Sequence, residues 1–332
     1  MGGLNRGLRS WNRIAVSTPE RYGVEPYRAT PGEAAQTVKA AARYFGSALT
    51  GIAKLDRRHI NARDYGREIV FENVEQPSFD QGNRRLVIPT GCEYAVAVSV
   101  QMSLETLQCS PSGIGSAASS LGYSRIEYTV GALAEFIRAL GYIAIPSVND
   151  LGSSVAIAVD AGLGELGRSN RLISPEFGPN LRLGKVLTDL PMQTDRPIDF
   201  GLRAFCKACK KCAQHCPSNC LGMEDEPSYE VKGEWNNPGH EAWFETATRC
   251  LAYWSESTSG CSVCIGICPF SKGDKTFIHE FVKAVSATTP VFDGVFAAMD
   301  DAFGYGRRRD PAAWWRTEMP EYGIDTRQGK GL

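Results

Sequence analysis

The sequence predicts an α/β (α+β) domain followed by a smaller domain whose structure is set by metal-bound cysteines. Three observations carry this reading. Strand-like and helix-like runs alternate as far as about residue 195. Two related cysteine runs follow, between Cys206 and Pro269. The balance of 43% hydrophobic and 22% charged residues in 332 is that of an ordinary globular protein. The expected division is 1–195, with 1–30 an extended arm, then 196–275 around the cysteines, then a tail, 276–332. A net charge of −1 gives no overall field for nucleic acid. No apolar run approaches the roughly 20 residues that span a bilayer.

Taken in order, residues 31–48 (PGEAAQTVKAAARYFGSA) predict a helix opened by Pro31. YGREIVFENVEQ alternates as a strand does, and RRLVIPTGCEYAVAVSVQMS offers one or two more, rich in Val. SPSGIGSAASSLGYSRIEYTVGALAEFIRALGY predicts one or two helices, and YIAIPSV and SSVAIAV short buried strands. LRLGKVLTDLPM predicts a strand again. Gly162-Leu163-Gly164-Glu165-Leu166-Gly167 matches G-x-G-x-x-G, yet RSNRLISPEFGPN follows, with Pro175 and Pro179 where a dinucleotide site needs a helix. A nicotinamide site is therefore not expected, although glycines beside a large flat cofactor remain compatible. Further on, EAWFETATRCLAYW predicts a helix carrying Cys250. In the tail FIHEFVKAVSA predicts a helix, and Trp314-Trp315 is expected to pack the tail onto the body.

The first cysteine run reads Cys206-x2-Cys209-x2-Cys212-x3-Cys216-Pro217, the bacterial ferredoxin pattern. The second, Cys250-x10-Cys261-x2-Cys264-x3-Cys268-Pro269, differs only in its first spacing. Crossing over in the ferredoxin manner gives one 4Fe–4S cluster to Cys206, Cys209, Cys212 and Cys268, and another to Cys216, Cys250, Cys261 and Cys264. Thiolate sulfur suits iron, and the short steps wrap one backbone turn around a cube of metal and sulfide. Structural zinc and a disulfide scaffold are the alternatives. Zinc sites usually end in paired C-x2-C units, and disulfide frameworks belong mostly to small secreted chains. Of the eleven cysteines, Cys92, Cys109 and Cys220 lie outside the runs. Each reads as a buried, inert thiol, with Cys220 close enough to Cys216 to compete as a ligand.

The ferredoxin runs, the AGLGELGR segment, the NLRLGKVLTD strand and the W-x(n)-P-x-YG tail together resemble the corrinoid-dependent reductive dehalogenases. The resemblance covers most of the chain from about residue 85 onward. It implies a corrinoid-binding domain of nitroreductase-like type with a two-cluster ferredoxin-like domain. The implied activity is removal of halide from an organohalide, a small chlorinated alkene or alkane. In that family a tyrosine, an asparagine and an arginine face the substrate, and their order and spacing match Tyr123, Asn149 and Arg182, 26 and 33 residues apart. The aromatic pocket wall corresponds to Trp254, with Ser119 a further pocket candidate. With no histidine cobalt-carrier motif, the corrinoid is implied to bind base-off. Gly152, Ser153, Ser154, Leu166, Gly167 and Arg168 are the candidates for cradling it. A low-potential electron donor is implied, with room for a small membrane-anchor subunit and no nucleic-acid partner. The family is exported to the outer face of the cytoplasmic membrane. MGGLNRGLRSWNRIAV has neither an apolar h-region nor a twin arginine before one. The expectation is a chain that is cytoplasmic as written or has lost a leader.

Carbon–halogen reduction needs two electrons, one proton and a way to accommodate halide. The cofactor does the hard chemistry and the protein positions it. Tyr123 is the expected acid: a phenol with a pKa of about 10 is a poor donor until a guanidinium stabilises the tyrosinate. Arg182 stays charged at any working pH, and Asn149 donates a hydrogen bond without adding charge. Structural readings compete with each role. Tyr123 would simply pack its helix, Arg182 would pair with Asp189 or Glu176, and Asn149 would be a turn residue after Pro146. Two other functions compete as well. One is an epoxyqueuosine reductase-like tRNA-base reductase, against which stand Tyr123, where that family has an aspartate, and the near-zero charge. The other is a plain two-cluster electron-transfer protein, against which stands the long upstream domain.

Overall fold

The computed structural model describes residues 11, 17–80, 82–272 and 307–324. The helix expected from FIHEFVKAVSA lies outside the described residues. The chain divides into two units. The first comprises 1–100, 123–163 and 182–197, the second 101–122, 164–181 and 198–332. The chain thus enters the cysteine-bearing unit twice before the cysteines themselves.

In the first unit, helix α1 (Pro31–Tyr44) starts at a capping box. Thr30 accepts from the Glu33 N–H, and Glu33 accepts from the Thr30 N–H at 2.9 Å. Such a cap is worth about 1 kcal/mol. Strands β1 (Leu49–Lys54), β2 (Arg67–Glu72), β3 (Arg85–Pro89) and β4 (Tyr94–Gln101) follow. Then come the long helix α2 (Gly113–Ala139), strand β5 (Ala144–Ser147), helix α3 (Ser154–Asp160) and strand β6 (Leu181–Thr188). The main sheet has the order β1-β4-β6-β5. β1 pairs antiparallel with β4 from Leu49↔Ser99 to Lys54↔Tyr94, and β5 with β6 from Lys185↔Ser147 to Thr188↔Ala144. A smaller sheet holds β2 and β3 in parallel, flanked by Arg63–Asp64 and Ser78–Asp80.

Period explains the layering. Ile126, Val130, Leu133, Ala134 and Ile137 recur at helical spacing along α2 and are fully buried. They join Val38 and Ala42 of α1 and Val96, Val98 and Val100 of β4 in one core. Burial of each such large side chain is worth about 1.5–3 kcal/mol. The intervening Ala95, Ala97 and Ser99 are buried too, so β4 is covered on both faces. On β1, a Cβ at Gly51 would overlap the carbonyl oxygen of Ala161, just past α3.

One expected element changes type. SSVAIAV is helix α3, not a strand. Ser153 caps it, its hydroxyl accepting from the Ala156 N–H at 3.3 Å. A short apolar run cannot be assigned by periodicity alone, and here the cap decides. From Gly113 of SPSGIGSAASSLGY to Ala139 the chain forms the single helix α2.

In the second unit the glycine run opens a hairpin, Glu165–Leu166 against Leu172–Ile173, and no helix follows. A Cβ on Gly164 would collide with the Ile173 carbonyl oxygen and one on Gly167 with the Ile173 side chain, each at 2.3 Å. Helix α4 (Leu202–Cys209) carries Cys206 and Cys209, and helix α5 (Ala247–Glu256) carries Cys250. Between Cys209 and Cys212 the chain turns at Lys210, whose φ is +50°. Phe205 and Phe270 meet edge to face at 4.9 Å and anchor an apolar cluster with Ile173, Leu202 and Trp243. In the tail Trp314 donates from Nε1 to Thr106 Oγ1 at 3.1 Å, while Trp315 is exposed.

Candidate active site

Three elements of the first unit each deliver one residue to the same place. Helix α2 brings Tyr123, the loop after β5 brings Asn149, and β6 brings Arg182. Asn149 Nδ2 donates to Tyr123 Oη at 3.0 Å. The guanidinium carbon of Arg182 lies over the Tyr123 ring, 4.5 Å from its centroid, a cation–π distance. Tyr123 and Arg182 are half-buried and Asn149 is exposed. The hydrogen bond runs into the tyrosine oxygen, so the phenol keeps its own proton for another acceptor.

The supports are local and strong. Strand alternation places Arg182 and Gly184 toward α2, where a Cβ on Gly184 would lie 2.6 Å from Val130 Cγ1. Lys185 points the other way and is fully buried. Its ammonium donates to Val148 O at 2.9 Å, Gly152 O at 3.1 Å and Ser154 Oγ at 3.0 Å. Asp150 accepts from Ser147 Oγ at 2.7 Å and the Val148 N–H at 3.0 Å. Together these fix the loop that carries Asn149. The Asp189 carboxylate accepts from the Ile143 N–H at 2.8 Å. Lys185 was missed from the sequence, where a lysine inside the apolar run LRLGKVLT was the available signal.

Gly152, Ser153 and Ser154 belong to this same loop. A Cβ on Gly152 would meet the His59 carbonyl oxygen at 2.3 Å, Ser153 caps α3, and Ser154 donates to Val148 O at 2.5 Å. Protein fills the space beside Gly152 and Gly167, so the two glycines are explained by packing against the chain itself. Leu166, Gly167 and Arg168 fall in the second unit. So do Trp254, 42% exposed on α5, and Ser119, whose hydroxyl is 3.0 Å from that of Ser262.

The cysteines of the second unit surround space. Cys206, Cys209, Cys212 and Cys268 line one cavity, which Cys264 and Arg168 also border. Among the described residues no three Cys, His, Asp or Glu side chains converge as on a single ion. A cube of four irons needs its thiolates spread around a larger body, and this lining offers that arrangement. No disulfide joins any of the eleven cysteines. Burial pushes Cys206 up to about 12 and Cys212 and Cys268 well up. These sulfurs therefore become thiolates at neutral pH only with a cation such as iron to bind.

The second set is closely packed. Cys216 and Cys220 are buried with Ala213 and Leu221, and Cys212, Cys250 and Cys264 pack against them. The sulfurs of Cys216 and Cys220 are 3.4 Å apart, and Cys220 also hydrogen-bonds Cys250. Cys220 thus stands directly beside Cys216 in this second set. Cys92 and Cys109 are buried elsewhere.

The family model of a reductive dehalogenase subunit matches residues 63–192. A tetrachloroethene reductive dehalogenase of Sulfurospirillum multivorans is 38% identical over 316 residues, covering 90% of this chain and 62% of its own. The chain belongs to the reductive dehalogenase family. A tetrachloroethene reductive dehalogenase of Desulfitobacterium hafniense is 33% identical and covers 92% of this chain and 60% of its own. A solved reductive dehalogenase, described with a mechanism for B12-dependent dehalogenation, superposes with a TM-score of 0.74 at 27% identity. That match covers 92% of this chain and 41% of the solved one. The chain thus spans about three-fifths of the curated family members it matches. An epoxyqueuosine reductase of Lactococcus garvieae matches only 38% of the chain, as a distant relative. Members of the family are oxidoreductases, and the mixed α/β architecture is theirs. No helix among the described residues is long and apolar enough to cross a membrane.

Proposed function

We propose that this chain carries the catalytic machinery of a corrinoid-dependent reductive dehalogenase acting on a small organohalide. Chlorinated ethenes, the substrates named for its relatives, are the class to test first. The observation that supports the reading best is the meeting of Tyr123, Asn149 and Arg182, residues far apart in sequence and set on three different elements.

The reaction replaces a carbon–halogen bond by a carbon–hydrogen bond, taking up two electrons and one proton and releasing halide. When bound, a corrinoid supplies a low-potential cobalt that passes electrons to the carbon–halogen bond. Cys206, Cys209, Cys212 and Cys268 would hold one 4Fe–4S cluster and Cys250, Cys261, Cys264 and Cys216, with Cys220 beside it, the other, and such clusters would supply electrons singly. Tyr123 gives the proton from Oη. Arg182 holds a positive charge against the ring that turns negative as that proton leaves. Asn149 uses one amide hydrogen on Tyr123 and keeps its second, on the exposed side, for substrate or halide.

The test is anaerobic purification with cobalt, iron and chloride release measured together. About one cobalt and about eight iron per chain, with chloride released from a chlorinated ethene, is the expected result. Full iron with no cobalt after reconstitution with cobalamin would leave an electron carrier. Cobalt and iron without chloride release, but with reduction of epoxyqueuosine in a tRNA stem-loop, would select the tRNA-base enzyme.

A further inference from the structure

Arg168 lies in the hairpin of the second unit and is only 1% exposed. Its Nε donates to Cys206 O at 2.9 Å, and its Nη1 to Gly222 O at 2.9 Å and Glu224 O at 2.8 Å. Trp243 stacks on the guanidinium at 4.4 Å. The remaining nitrogen, Nη2, is buried without a hydrogen-bond partner. Among the described residues no carboxylate pairs with this cation. Glu224 offers it a backbone carbonyl but turns its own carboxylate to Lys232, at 3.0 Å. A buried cation without a directly paired carboxylate is costly, and the groups whose negative charge would act on it most are the thiols of Cys212 and Cys206, ahead of Glu224. The same guanidinium borders the cavity lined by Cys206, Cys209, Cys212 and Cys268.

Arg171, three residues on, makes the contrast. It pairs with Glu245 at 3.1 Å, beside Cys250 and Cys264. The arginine near the second cysteine set is neutralised within the protein, whereas the one at the first set is not.

We infer that Arg168 is the charge-compensating residue of the first cluster: its positive charge answers the thiolates of Cys206, Cys209, Cys212 and Cys268, and Nη2 donates into their cavity. Such a cluster gains negative charge on reduction. A fixed cation beside it therefore favours the reduced state, and the cluster at Cys206 accepts an electron more readily than its partner at Cys250. The step is a one-electron reduction, with the electron taken from the low-potential donor of the proposed reaction and no bond made to Arg168. Arg168 is thus a positioning residue for charge and does not touch substrate.

This inference rests on reading the cysteines as two cluster sites, and a parent protein without about eight iron would fail that reading before any variant was made. In the reconstituted holoprotein, Arg168→Gln and Arg168→Lys would be compared by iron content and by redox titration followed by electron paramagnetic resonance. The glutamine variant is expected to shift one reduction step at least tenfold toward the oxidised form, 59 mV for one electron, with the other step moved less. The lysine variant is expected to stay within threefold of the parent. Loss of half the iron in Arg168→Gln but not in Arg168→Lys would support the same charge role. No shift in either variant, or equal iron loss in both, would overturn it.

Discussion

Replacing Tyr123 by Phe removes one oxygen from the candidate active site and leaves nearly everything else in place. The ring stays beneath the Arg182 guanidinium, which stands 4.5 Å from its centroid in the parent. Among the described residues the hydrogen bond lost is the one from Asn149 at 3.0 Å, and Asn149 is exposed, so water takes over. A typical net hydrogen bond is worth about 1 kcal/mol, and replacement by water brings the stability cost below that. The catalytic cost is of another size. Loss of a positioned proton donor lowers turnover by about 10²–10⁴-fold, which is about 3–5 kcal/mol of barrier. The assay is chloride release under anaerobic conditions, alongside cobalt and iron content and a thermal melt. The expected outcome is full cofactor loading, a melting temperature close to the parent, and turnover down at least a hundredfold. Turnover within tenfold of the parent, with cofactors retained, would remove Tyr123 as the acid and return it to a packing role on α2.

Lys185→Met should cost about 2–4 kcal/mol, because Val148 O and Gly152 O lose a buried donor. It should lower turnover with the displaced Asn149 loop yet leave iron unchanged, as a melt and an iron assay would show. Gly184→Ala should cost about 1–3 kcal/mol by overpacking, since the new methyl would lie 2.6 Å from Val130; an unchanged urea midpoint would refute the tight β6–α2 contact. Cys216→Ala should retain most iron, because Cys220, 3.4 Å away, takes the vacated corner. The double variant with Cys220→Ala should lose about half, and equal loss in the single and double variants would show Cys220 to be inert.

Legibility in the sequence followed the range of the interactions. Helix α1 was readable because Pro31 at its first position marks its start locally, and the structure adds the Thr30–Glu33 cap. Strands β4 and β6 were readable from their valines and leucines. Tyr123, Asn149 and Arg182 were picked out by family spacing, and the structure brings the three together. Helix α3 failed because five apolar residues in a row satisfy either period, and a single serine decides between them. The glycine run was rightly denied a helix, yet the reason for Gly164 and Gly167, the collision with Ile173, comes from a strand six to nine positions away. The surroundings of Arg168 were hidden altogether. Its partners lie 38 to 56 residues downstream, and all are backbone carbonyls, which leave no trace in residue identity.

The eighteen residues from Arg168 to Lys185 hold four cations, and the structure gives each a different answer to the problem of burying charge. Arg168 borders a cavity of thiols, Arg171 has Glu245, Arg182 covers an aromatic ring, and Lys185 is ringed by carbonyl and hydroxyl oxygens. Arg171 is the one of these that meets its carboxylate at 3.1 Å, whereas no carboxylate among the described residues pairs with Arg168. A carboxylate would cancel the field that a nearby reaction needs, whereas carbonyl dipoles and ring faces hold a cation in place and leave its charge to act at short range. The proposed dehalogenation would bring electrons to the clusters and produce halide and tyrosinate, all negative charges appearing in poorly hydrated surroundings. Placing positive charge there beforehand, on groups fixed by folding, would lower the cost of each of those events. On the same proposal the carboxylate beside Arg171, near the second cysteine set, would grade the field between two electron carriers by making one of them less positive than the other.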